Sequence, residues 1–118
     1  MESYTGSCHC GAVTYSFTGP KVESGLRCNC SICIRKGAVM STFTIEPENM
    51  NITVQDNRLS CYQFDSKIAK HYFCNRCGIY TFHETIRKPE HYRVNLGCVE
   101  GINPLELEVE IFDGATLL

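Results

Sequence analysis

The stretch Arg27-Cys28-Asn29-Cys30-Ser31-Ile32-Cys33 places three thiols within six residues. No strand or helix needs cysteine at that density, and a disulfide would leave one of the three unpaired. Three thiolates converging from one tight loop are three-quarters of a tetrahedral zinc site. The missing quarter decides the chemistry. A zinc closed by four protein ligands is a structural staple, whereas three ligands keep a position for water or substrate.

The chain holds nine cysteines, Cys8, Cys10, Cys28, Cys30, Cys33, Cys61, Cys74, Cys77 and Cys98. Seven fall into tight clusters, C-x-C, C-x-C-x-x-C and C-x-x-C. A secreted disulfide scaffold carries an even count and a signal peptide. Met1 to Ser7 has neither a basic start nor an apolar run, so the expected compartment is the cytoplasm or nucleus, where thiols stay reduced and metal is favoured over disulfide.

Counting ligands divides the seven into four plus three. C-x-C and C-x-x-C supply two ligands each, so Cys8, Cys10, Cys74 and Cys77 are expected to form one closed structural site. It would tie the N-terminal region to a hairpin far along the chain, which makes metal binding part of folding. Cys28, Cys30 and Cys33 are then left as a set of three. Spacing alone does not say whether Cys98 or Cys61 completes it. His9, His71, His83 and His91 lack the paired spacing of a histidine site, and the strand tyrosines Tyr62, Tyr72 and Tyr80 read as packing residues. Asn29 and Ser31, inside the loop, are expected to offer backbone N–H groups to the sulfurs.

The elements that must position these thiols are strands. The 118 residues, 43% of them apolar, suffice for one domain with a packed core, spanning 1–118. Gly11 to Phe17 alternates Val, Tyr and Phe on one face. Gly37 to Ile45 is β-branched and aromatic and reads as a longer strand. Glu46 to Met50, with its proline, is the single helical candidate. Asn51 to Val54 and Leu59 to Phe64 flank a turn at Gln55 to Arg58. Ile68 to Phe73 and Ile79 to Phe82 flank the knuckle Cys74-Asn75-Arg76-Cys77-Gly78, where glycine permits positive φ. His91 to Leu96 and Leu107 to Phe112 alternate again, and Asp113-Gly114 marks a turn. Many short strands and almost no helical period predict an all-β domain of several short antiparallel sheets.

Three segments together carry a resemblance: Gly6-Ser7-Cys8-His9-Cys10-Gly11-Ala12-Val13, Cys28-Asn29-Cys30-Ser31-Ile32-Cys33, and Phe73-Cys74-Asn75-Arg76-Cys77-Gly78, with Val94-Asn95-Leu96-Gly97 besides. In order and spacing they resemble the glutathione-dependent formaldehyde-activating enzyme family, also called GFA or CENP-V/GFA. The resemblance implies a β-tent fold, all-β and zinc-binding, shared with a family of Rab nucleotide-exchange chaperones. It implies two zinc ions per chain, a structural one on Cys8, Cys10, Cys74 and Cys77 and a catalytic one on Cys28, Cys30 and Cys33 with its fourth position open. It also implies a carbon–sulfur lyase that joins glutathione, or another small thiol, to formaldehyde or a related small aldehyde. Glutathione carries two carboxylates, for which Arg35 and Lys36 are the expected partners. Many members carry arginine directly after the third cysteine of the loop; in this chain Ile34 stands there and the arginine follows at Arg35.

Two other classes compete with a lyase. One is a protein-binding module with both zincs structural. The other is a nucleic-acid domain, opposed by a net charge of −2 and the lack of a basic stripe with interleaved aromatics. No apolar run reaches membrane-spanning length.

Overall fold

Alternation builds the first sheet. β1 (Glu2–Ser7) pairs antiparallel with β2 (Val13–Gly19), which pairs antiparallel with β5 (Met50–Val54). On β2, Val13, Tyr15 and Phe17 are buried while Thr14, Ser16 and Thr18 are half-buried, the period of two that a strand with one core face requires. A computed structural model describes residues 1–64, 69–85 and 88–117 of the chain.

The second sheet takes the order β10-β3-β4, with β3 (Ser24–Cys28), β4 (Met40–Ser41) and β10 (Glu108–Phe112). The third runs β6-β7-β8-β9, with β6 (Leu59–Tyr62), β7 (Lys70–Cys74), β8 (Tyr80–Glu84) and β9 (Tyr92–Val94). Among these ladders the β10–β3 pair is parallel and the others antiparallel. Among the described residues, helix is confined to α1 (Ser31–Lys36), α2 (Gly114–Leu117) and three 3-10 turns. The expected all-β architecture of small sheets is what the chain adopts.

Single bridges stitch the sheets together: Gly6 to Val99, Met40 to Asn95 and Ile45 to Tyr92. Between them lies one core, in which Val13, Ile45, Phe82, Val94 and Leu96 are fully buried beside Tyr15 and Phe17. Phe82 is its aromatic centre, with Tyr15 at 5.3 Å and Tyr92 at 5.7 Å, both edge-on. Cys8 and Cys74 belong to this core, at 4% and 0% exposure.

The turn at Gln55 to Arg58 forms as expected, with Asp56 and Asn57 at positive φ of 51° and 55°. The helical candidate at Glu46 to Met50 is a 3-10 turn over Pro47–Asn49. The strand expected from Ile68 is β7, beginning at Lys70; residue 68 lies outside the described residues.

The longer strand expected over Gly37 to Ile45 is a correction. Only Met40 and Ser41 pair in a ladder. The Ser41 hydroxyl donates to the Phe43 carbonyl at 2.9 Å and accepts from the Val94 N–H at 3.2 Å, which bends the chain before Ile45 bridges to Tyr92. The strand expected over His91 to Leu96 is likewise short. Asn95 caps a 3-10 turn by accepting the Gly97 N–H at 3.0 Å.

Candidate metal centres

Cys8 and Cys10 follow directly on β1, and Cys74 ends β7 with Cys77 in the turn beyond. The four sulfurs lie within 4.8 Å of one another. The knuckle forms because the Gly78 N–H donates to the Cys74 carbonyl at 2.8 Å, with Gly78 at φ 79°. The Val13 N–H points at the Cys8 sulfur at 3.3 Å. Cys8 to Cys10 and Cys10 to Cys74 both measure 3.7 Å between sulfurs. A disulfide needs about 2.05 Å. Four sulfurs about 2.3 Å from a central zinc stand about 3.8 Å apart along a tetrahedral edge, and that is the spacing found.

Burial opposes ionisation of Cys77, yet the N–H groups of Cys10 and Ile79 and the Cys74 and Cys8 thiols bring its pKa down to about 6. For Cys10 an N–H contact at Ala12 is outweighed by desolvation and by its neighbouring thiols, and its pKa rises to about 11. Crowded thiols share their protons unevenly, and a cation among them would favour the thiolate form of all four.

The second cluster assembles at the end of the central strand of the second sheet. Cys28 ends β3, Cys30 is the N-cap of α1, and Cys33 lies within it. Their sulfurs also lie within 4.8 Å of one another, and all three residues are half-buried. The loop is held from the C-terminal side. Asn29 donates its backbone N–H to the Phe112 carbonyl at 3.2 Å and its side-chain amide to Asp113 at 3.0 Å, and accepts from the Ala115 N–H at 2.9 Å. The Asn29 N–H is therefore not offered to a sulfur as expected. The Cys30 N–H makes such a bond, to Cys28 at 3.4 Å. Burial, then neighbouring thiols that outweigh the pull of Lys36, push Cys33 up to about 12. Cys30 goes down against its own desolvation, because N–H groups of Cys33 and Ile32 face its sulfur.

Among the described residues, no fourth histidine, cysteine or carboxylate joins these three. Cys98 lies toward the first cluster instead, its thiol 3.7 Å from the Tyr80 carbonyl and its pKa raised to about 11 by burial and by Cys8 and Cys77. Cys61 is exposed on β6. His9 is exposed and His91 faces the Pro89 carbonyl. Arg35 lies exposed on α1, one guanidinium nitrogen bonded to the Ser31 carbonyl at 2.7 Å.

Lys36 turns inward from the last turn of α1. Its ammonium contacts the Cys33 thiol, sits 4.0 Å above the centre of the Tyr80 ring and lies 3.3 Å from Nδ1 of His83. Burial lowers its pKa, and the sulfurs of Cys33, Cys30 and Cys28 pull it back up. The Tyr80 hydroxyl lies 2.9 Å from Nδ1 of His83 and 2.7 Å from Nδ1 of His71. Burial raises the Tyr80 hydroxyl well above its ordinary value and depresses both histidines, His71 to about 4.

This polar row beside the thiols is the part that sequence reasoning missed. Tyr80, His71 and His83 read singly as packing residues. The available signal was the pair of histidines flanking the knuckle, which face each other across β7 and β8.

Both clusters fit a thiophilic metal ion, by donor type and by sulfur spacing. A crystal structure of a Rhodobacter sphaeroides protein superposes with a TM-score of 0.80 at 37% identity, covering 90% of this chain and 99% of that one. Residues 3–115 match the family model of the glutathione-dependent formaldehyde-activating enzyme, GFA. With both thiol clusters inside that span, the chain belongs to the GFA family.

Proposed function

We propose that the protein is a zinc-dependent carbon–sulfur lyase that adds a thiol, glutathione foremost, to formaldehyde or a related small aldehyde. With glutathione and formaldehyde the product is S-hydroxymethylglutathione, and the reaction is reversible. The carrying observation is the set of three clustered thiols that no fourth donor joins among the described residues. The same observation weighs against a binding module whose two metals are both structural.

In this reading each chain holds two zinc ions, on Cys8, Cys10, Cys74 and Cys77 and on Cys28, Cys30 and Cys33. Zinc, when bound at the second centre, supplies a lowered thiol pKa, so that the substrate sulfur is held as thiolate near neutral pH. Overall the sulfur lone pair attacks the carbonyl carbon, the carbonyl π pair moves to oxygen, and the proton given up by the thiol ends on that oxygen. Cys28, Cys30 and Cys33 contribute three ligands and leave one to exchange. Asn29, tied to Phe112, Asp113 and Ala115, holds the loop in register. Of the two cations expected at the glutathione carboxylates, Arg35 is the one exposed on the outside of α1, where its fork suits a carboxylate. A cytoplasmic location belongs to this reading, because metal-binding thiols must stay reduced; no described helix is long and apolar enough to cross a membrane.

The test combines ligand counting with turnover. Zinc-edge absorption should report two metals per chain, one with four sulfurs and one with three. Exchange spectroscopy by NMR should then show the zinc-loaded protein accelerating the equilibrium between glutathione, formaldehyde and their adduct. A second zinc closed by Cys98 or Cys61, or no binding at millimolar glutathione and no acceleration, sinks the proposal.

A further inference from the structure

The inward turn of Lys36 needs a reason. An exposed lysine costs nothing, whereas an ammonium drawn between protein groups loses hydration that its partners must replace. Its partners are the Tyr80 ring face at 4.0 Å, Nδ1 of His83 at 3.3 Å and the Cys33 thiol, with Cys30 and Cys28 also in electrostatic reach. Tyr80 is itself held by His71 and His83. Three rings from β7 and β8 thus fix one cation against the thiol loop of α1.

Charge arithmetic gives the consequence. Three thiolates around a divalent cation leave the centre one unit negative, and an incoming thiolate would make it two. Lys36 cancels one of those units. We propose that Lys36 is the counter-charge of the three-thiol centre and sets it to accept an anionic sulfur as its exchangeable ligand, with Tyr80 and His83 as positioning residues that hold the ammonium. The proposal rests on the open-centre reading above. With a metal bound, uptake of a thiol would break its S–H bond, release that proton to solvent and displace the water held at the fourth position.

The full-length protein loaded with cobalt(II), whose visible bands report ligand exchange, provides the test. The probes are 2-mercaptoethanol, which is uncharged until it binds as thiolate, and imidazole, which binds neutral. Lys36→Met should weaken 2-mercaptoethanol binding by about tenfold or more, the scale of losing one nearby unit charge in a partly dry site. Imidazole binding should not change, and Lys36→Arg should restore the thiol affinity. Equal thiol affinity in wild type and Lys36→Met overturns the proposal, as does an equal loss for both probes, which would mark a merely structural residue. If Lys36→Met does not fold, Lys36→Gln is measured against the same criteria. The open-centre reading fails separately: wild type that takes up one cobalt per chain, or whose second cobalt ignores both probes, overturns that reading and the counter-charge with it.

Discussion

His71 is 5% exposed, its ring lies 6.1 Å from Phe64 and 5.9 Å from Tyr80, and its Nδ1 meets the Tyr80 hydroxyl. Hydrogen-bond logic orders this row. An ammonium can only donate, so Nδ1 of His83, 3.3 Å from Lys36, is an acceptor and that ring carries its proton on Nε2. Burial first, and the Lys36 charge second, hold the pKa of His71 near 4 against an ordinary 6.5. Between those values the unfolded chain binds the proton that the folded chain refuses. Stability from a neutral His71 is therefore complete above pH 6.5 and is lost as pH falls toward 4. His71→Phe keeps an aromatic ring and removes the titration. Unfolding free energies of the zinc-saturated wild type and variant should diverge in slope across that window, with the variant the flatter. Protonation of the metal thiolates acts on both proteins and cancels in the difference. Parallel slopes would contradict the assignment.

Elements differ in how plainly the chain announces them. β2, β5, β6, β8 and β10 were legible from alternation or β-rich composition, and the two thiol clusters from ligand counting. β1 and β3 were not, because Glu2 to Ser7 and Ser24 to Cys28 lack a clean apolar period and form on pairing with β2 and β10. The polar row was hidden by a bulge. Tyr80 and His83 are three residues apart, which puts them on opposite faces of a regular strand. In the β7–β8 ladder Tyr72 pairs with Phe82 but Phe73 with Tyr80, so Thr81 is the extra residue that lets both contact Lys36. α1 is short, six residues with none buried, and was not read from the sequence, although Arg35 and Lys36 in its last turn and Gly37 after it were the signals. Gly37 stands at φ 67° and its N–H donates to the Cys33 carbonyl at 3.2 Å. Gly37→Ala should cost about 1–2 kcal/mol through the left-handed conformation, and chelator competition should show the second metal leaving more easily. Gly37→Asn, which tolerates that conformation, should recover most of the loss. An alanine variant with wild-type melting and metal retention would show that this cap does not hold the loop.

At the scale of the molecule the two centres have unequal positions. The first joins the start of the chain to the β7–β8 knuckle and shares its cysteines with the core, where Cys8 and Cys74 pack among Val13, Phe82 and Val94. The second sits on half-buried sulfurs beside a helix with no buried residue. A metal held by the first cluster would close the loop from Cys10 to Cys74, which carries β2 to β7. Structural zinc binding amounts to about 10–16 kcal/mol in small peptides, and a domain of this size is stable by only about 5–15 kcal/mol. Loss of a zinc held there would therefore remove as much free energy as the fold possesses. Cys74→Ala opens that site and leaves a cavity at a position with 0% exposure, and it should leave the chain unfolded or melting far below wild type. Cys30→Ala should release one metal per chain and abolish thiol binding while the near-native melting transition persists, since the strands of all three sheets lie outside α1. Calorimetry with metal analysis on both variants decides the point. Equal losses in melting temperature would mean that the second centre holds the fold as firmly as the first, and would remove the physical ground for treating one as a clamp and the other as a site.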